Sequence, residues 1–312
     1  MRRTIPLAAF ALVISMVGPP PAAVAEEEPS PVVSTPYWDL TPAASSDYLA
    51  WSTSRPKDQP LWVQPTDGER FRVNPKGTWA VKPEIDGTLL AYTEGVSTEE
   101  SYTTDIRFFD LETRAFVEPP EGVNTEQAEW WPSIDGDLLL FEREDVDNRS
   151  YEEMLLLDMA TGESQVLASS SGWSRYFLPG GIAGGLAVWS RLSFDFKAGW
   201  WTSCDVYVHD VATGVTSKLD NPGPKCQFVG SVDAGGTVYY GRAGWGCGRH
   251  SQLLGAIPGQ EPTVLVSFER GRDFFSIYAR DNADGSTTVF FDPGTCDEYG
   301  NIPDADIWSI EI

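Results

Sequence analysis

Chemistry in this chain would have to come mainly from carboxylates, because other reactive groups are scarce. His209 and His250 are the only histidines, and a serine or cysteine nucleophile needs a base within hydrogen-bond reach. His209 follows Asp-Val-Tyr-Val in a strand-like stretch and reads as a packed structural residue. His250 sits beside Arg249 in the glycine-rich run RAGWGCGRHSQ, where it could face a ligand. No Gly-x-Ser-x-Gly nucleophile elbow occurs. Sugar cleavage draws on two carboxylates at a fixed separation. Glu126, Glu129, Glu269 and Asp273 stand at the starts of apolar stretches, but no spacing pairs them. The sequence therefore assigns no catalytic residue. It favours binding over turnover, with a carbohydrate-active hydrolase or lyase as the alternative.

Metal chemistry is equally thin. Cys204, Cys226, Cys247 and Cys296 contain no Cys-x-x-Cys pair, so a zinc site is not expected. The acidic runs DVDNRSYEE and DEYGNIPDAD offer oxygen ligands of the kind calcium takes, yet neither has the twelve-residue calcium-loop pattern. They read as solvated surface, and no cofactor is expected. Four cysteines do suit two disulfides if the chain is exported.

The first 25 residues point to export. A basic MRR start, the apolar run IPLAAFALVISMV and an Ala-x-Ala ending make a secretory signal peptide with cleavage after Ala25. The apolar run falls short of the ~20 residues that span a bilayer, so no membrane insertion is expected. The destination is extracellular or periplasmic. Net charge is −24, and losing Arg2 and Arg3 deepens it. Nucleic acid is excluded as a partner, since phosphate binding needs a basic footprint.

Residues 37–312 must supply the elements that position any site, and they repeat. An apolar run closes on an aromatic at Trp51, Tyr92, Phe141, Trp189, Tyr240 and Phe291, at intervals of 41 to 51 residues. A turn precedes most of these runs, as in EIDGTLLAY and SIDGDLLLF. A second strand pair follows around Asp-x-x-Thr-Gly, as in LLLDMATGESQVL and VYVHDVATGVTSKL. Each unit thus predicts four short strands. One such sheet cannot bury both faces alone, and ring packing solves that. The expectation is an all-β, six-bladed β-propeller of four-stranded antiparallel blades. The closing aromatics are expected to pack between blades. The sixth copy lacks a fourth strand, and the segment 26–36 is expected to supply it and close the ring, since an open edge invites pairing.

Trp131, Pro132, Asp135, Gly136, Phe141, Asp158, Thr161 and Gly162 in the third copy resemble the TolB-like, WD-type propeller repeat. The second and fourth copies match in part and the others more weakly. The resemblance implies a propeller, and its motifs specify turns and packing, so no catalytic residue is carried over. It implies a free-standing propeller of exported bacterial type, without the separate domain that precedes the propeller in TolB.

In such a blade the loops between strands two and three share a face with the links between blades. All four cysteines map to that face. Blade positions favour Cys204 with Cys226 and Cys247 with Cys296, while the other pairings stay open. The same loops carry acids and aromatics. The candidate binding face comprises Trp130, Trp200, Trp201, Trp245, Arg249, His250, Asp297 and Tyr299, because rings beside polar groups suit sugars or peptide side chains. The expected protein is a monomer that binds a protein or cell-wall polymer there.

Overall fold

The computed structural model describes residues 28–55, 58–97, 102–148, 150–172, 175–195, 200–219, 226–243, 251–296 and 304–312. These form six four-stranded antiparallel sheets arranged as a propeller. The ring closes with β1 (Ser30–Val33) on the outside of blade six. Blade one follows as β2 (Trp38–Ala44), β3 (Tyr48–Ser54), β4 (Leu61–Pro65) and β5 (Phe71–Arg72). Blade two is β6 (Trp79–Asp86), β7 (Leu89–Ser97), β8 (Tyr102–Asp110) and β9 (Ala115–Val117). Blade three is β10 (Ala128–Asp135), β11 (Leu138–Glu144), β12 (Tyr151–Asp158) and β13 (Ser164–Ser171). Blade four is β14 (Arg175–Ala183), β15 (Leu186–Asp195), β16 (Trp200–Asp210) and β17 (Val215–Lys218). Blade five is β18 (Cys226–Val232), β19 (Val238–Ala243), β20 (Gln252–Ala256) and β21 (Thr263–Ser267). Blade six is β22 (Arg272–Asp281), β23 (Thr287–Thr295) and β24 (Ile307–Glu311), completed by β1.

The closure takes the expected form. Ser30 pairs with Ser309 and Pro31 with Trp308, so residues from the chain's start cover the edge of β24. Proline is tolerated there because β1 is itself an outer strand with no further partner on its far side.

Local sequence explains the tight turns. Asp86 pairs with Leu89 and Asp135 with Leu138 across two-residue turns. Gly87 and Gly136 lead those turns at φ +58° and +57°, a conformation that costs glycine nothing. The marker aromatics Trp51, Tyr92, Phe141, Trp189, Tyr240 and Phe291 are at most 2% exposed. They sit in apolar clusters, as the sequence predicts. Trp51 and Tyr92 share one with Phe290 and Ile307, which joins blades one, two and six. Each fully buried side chain of this size contributes roughly 1.5–3 kcal/mol.

Every inner strand shifts register midway, as between Leu40 and Ala43, Val81 and Glu84, and Trp130 and Ser133. At three of these bulges a non-glycine residue takes left-handed φ: Thr41 at 50°, Lys82 at 52° and Trp131 at 58°. The displaced N–H groups are all claimed by side chains. Thr41 N donates to Asp292 Oδ2 (3.1 Å), Lys82 N to Thr41 Oγ1 (3.3 Å) and Trp131 N to Thr93 Oγ1 (2.7 Å). In each case the acceptor comes from the preceding blade, so the strain of roughly 1–3 kcal/mol per residue is held by the ring itself. Blades four and five approach more closely. A Cβ on Gly180 would lie 2.5 Å from Gly230 O, so only glycine fits.

Candidate functional site

The face carrying the links between blades is braced covalently. Cys204 on β16 is bonded to Cys226 at the start of β18, with Cα atoms 4.7 Å apart. The bond ties the third strand of blade four to the first strand of blade five, the pairing that blade positions favour. Cys296 is also disulfide-bonded, and Cys247 lies outside the described residues.

Beyond the bridge, β15 and β16 stay paired as long antiparallel strands. They run for 10 and 11 residues, and Asp195 pairs with Trp200 and Phe194 with Trp201 at their far end. The two tryptophans predicted from sequence therefore stand on a paired strand only a few residues past the bridge. Trp130 is the third residue of the inner strand of blade three, half-buried, with its ring 5.7 Å from that of Trp79. Trp245, Arg249, His250, Asp297 and Tyr299 lie outside the described residues.

The four carboxylates singled out from the sequence divide into two kinds. Glu129 is wholly buried. Its Oε1 accepts from Thr125 N, Thr125 Oγ1 and Arg143 Nε, which makes it an anchor for the link from blade two. Asp273 accepts from Ser251 Oγ at 2.8 Å and from its neighbour's Phe274 N, and burial pushes its carboxyl above the ordinary range. Glu126 and Glu269 are exposed. His209 is buried within β16 with Nδ1 2.9 Å from Thr216 Oγ1, and burial holds its imidazole below the usual range. It is a core residue, as its strand position suggests.

Sequence reasoning missed a set of polar residues just past the marker aromatics. Ser52, Thr93, Glu142, Ser190 and Asp292 each follow one, and all are buried. Ser52 Oγ donates to Ala80 O of blade two, while Thr93 and Asp292 receive the bulge N–H groups described above. In blade three the place falls to Glu142, which accepts no hydrogen bond from a described residue. The corresponding tie to blade four comes instead from Glu152, whose Oε2 accepts Phe177 N at 3.2 Å. Glu144 pairs directly with Glu152 and Glu142 lies two residues along, so three glutamates share one sheet face. Burial pushes Glu152 up to about 7. Glu142 lies well above its ordinary range, first from burial and then from the charges of Glu152 and Glu144. Near neutral pH this face holds protons that ordinary glutamates have lost. The sequence signal was position, one residue past each aromatic, and it was hidden because the residue type changes from copy to copy.

The opposite face carries the turns that end the inner strands. Around the axis there lies a cavity of about 450 Å³, lined by residues of all six blades. Asp86, Asp135 and Asp281 stand at its mouth and Glu84 in its wall. Asp86 Oδ2 accepts Gly136 N (2.7 Å) and Asp281 Oδ2 accepts Ala234 N (2.9 Å). Aspartates at these turns thus latch neighbouring blades as well as ending the inner strands.

No protein-family model matches the chain, and no curated protein matches it. Among solved structures it is similar to an oligogalacturonate lyase in complex with manganese, with TM-score 0.53, 10% identity, and 86% of this chain and 81% of that one covered. It is also similar to the oligogalacturonate lyase of Vibrio parahaemolyticus, with TM-score 0.52, 12% identity, and 87% and 74% covered. At such identities the likeness is one of fold. The class defined by fold and topology is a six-bladed, four-stranded propeller closed by its own N-terminal strand.

Proposed function

We propose that this chain is an exported propeller of TolB-like type that binds a protein or an extracellular polymer through its disulfide-braced face. The observation that carries this reading is the β15–β16 hairpin, which bears Trp200 and Trp201 just beyond the Cys204–Cys226 bond. Tryptophans supply large contact area, and binding energy concentrates at such residues. A covalent brace at the hairpin's base lowers the ordering cost that binding would otherwise impose. The bond itself suits an oxidising compartment, in keeping with the leader-like first 25 residues. The test is a glycan and peptidoglycan binding array, run beside affinity capture of protein partners. Native protein and a Trp200→Ala/Trp201→Ala variant are compared. Loss of retained ligand in the variant supports the reading, and equal retention removes it.

A carbohydrate-active hydrolase or lyase is the second reading. The Glu142–Glu152 pair favours it, because acid–base catalysis uses carboxyl groups whose proton affinities are pushed apart from the ordinary value. If the pair is catalytic, turnover of an acidic or neutral polysaccharide falls by at least 10²-fold in Glu152→Gln. Any turnover indifferent to that change rules the pair out.

A further inference from the structure

The outer seam between blades six and one reverses the sign of the chain's charge. From Arg55 to Lys76 the sequence holds five bases and three acids, in a chain of net charge −24. Trp62 stands on β4 opposite Trp51, so both rings point to one side of blade one. That side packs on Phe290 and Ile307 of blade six. Tyr37 lies in the link from β1 to β2 and is 42% exposed. The Arg55 guanidinium lies over both rings, 4.7 Å from the Tyr37 centroid and 5.8 Å from that of Trp62. The Arg70 guanidinium lies 5.1 Å from the same indole. Rings and guanidiniums therefore alternate along the seam.

These two arginines lack an acid. Asp58 is taken by Arg72, whose Nη1 and Nη2 donate to its two oxygens at 2.6 and 2.8 Å. Hydrogen bonding to Arg72 is the first cause that holds the Asp58 carboxyl below the ordinary range, and the charge of Arg55 is the last. Asp67 and Glu69 lie in the turn that leads to Arg70 and are exposed. Neither forms an ion pair with it. Among the described residues no acceptor meets either guanidinium, and Arg55 Nε is buried without a partner. A buried charged donor left unmet is costly, and stacking on rings does not replace the missing oxygen.

Ring stacking holds each guanidinium plane, so its N–H fork points in a set direction. A planar carboxylate meets such a fork only when coplanar with it. A sulfate or phosphate ester presents three oxygens and accepts over a wider range of angles. Two forks on one indole call for more than one anion along the same ligand. The outer strand of blade one, β5, has only two residues, too short an edge for a peptide strand to pair with. A nucleic acid duplex carries a charge every ~1.7 Å, and its further phosphates would press on the surrounding acids. Sparse esters on a neutral backbone avoid that repulsion.

We propose that the seam of blades six and one binds sulfate or phosphate esters carried at intervals on an otherwise neutral polymer, with Arg55 and Arg70 as its two contact points. The site stands on different blades from Trp200 and Trp201 and does not depend on the binding face proposed above.

Calorimetric titration of the full chain tests the assignment, at about 0.15 M salt, where the screening length of ~8 Å mutes the distant acids. A κ-carrageenan oligosaccharide supplies spaced sulfates and a glycerol phosphate oligomer spaced phosphates, so the two arms tell the sources apart. Saturable binding of at least one is expected. It should be at least tenfold weaker in Arg55→Ala and in Arg70→Ala. It should also weaken in Arg55→Lys, which keeps the charge and loses the fork. Arg114→Ala should leave it unchanged, since that guanidinium lies over the Phe71 ring of the same blade at 4.4 Å but outside the ladder. If Arg55→Ala melts early, Arg70→Ala at its exposed position decides the matter. Absence of binding to both probes overturns the proposal, as does equal affinity in the native protein and both alanine variants. Equal binding of a carboxylated oligosaccharide or of polyglutamate also overturns it, because the seam then reads charge alone.

Discussion

Glu84 and Glu152 show how single residues set the molecule's response to pH. Burial raises Glu84 to about 8 against the weak opposing charge of Lys82, and raises Glu152 to about 7. Both ordinarily ionise near 4.5. Between that value and the folded value the native state holds a proton the unfolded chain has released. Stability therefore falls as pH rises through this window, with the full cost present above about 8. Urea unfolding should give a higher midpoint at pH 5.5 than at pH 8.5, and Glu152→Gln should narrow the difference, leaving the part that Glu84 contributes. A midpoint that rises with pH across this range contradicts the assignment. The buried residues also mark where sequence reading ends. His209 was legible as core from its neighbours. Glu142 was not, since acids are common along the chain and only its place beside a buried aromatic sets it apart.

At the scale of elements, strands and turns were the most legible part. Apolar runs ending in an aromatic announced the second strand of each blade, because that strand is covered on both faces. Asp-Gly pairs announced the tight turns. The inner-strand bulges left no such mark, since Thr41, Lys82 and Trp131 share only a left-handed backbone and a side-chain acceptor from the blade before. The closing strand was legible by arithmetic, the sixth copy being one strand short. Deleting residues through Val33 should uncover the β24 edge, lower the thermal midpoint and promote association, as measured by light scattering. A truncated chain that melts and scatters like the intact one would contradict the role given to β1.

For the whole molecule, six blades make a ring whose two faces are unlike. One is latched by aspartates around an axial cavity; the other is braced by disulfide across blades four and five. The bracing of one face was legible, because blade positions put the cysteines there; the axial cavity was not, because it arises where residues far apart in the chain converge. The Cys204–Cys226 bond closes a loop with a sequence separation of 22, worth about 3 kcal/mol on a chain-entropy account. Replacing both cysteines by serine should lower unfolding free energy by about that amount, measured by denaturant titration. An unchanged free energy would mean the bond braces nothing.

The central claim is that the braced hairpin is the recognition surface. Co-sedimentation with isolated cell-wall material, comparing native protein with Trp200→Ala/Trp201→Ala, tests it most directly, with capture of protein partners run in parallel. The account predicts retention of the native protein and at least a tenfold loss in the variant, with thermal melts unchanged. Retention of the variant equal to that of the native protein would contradict it.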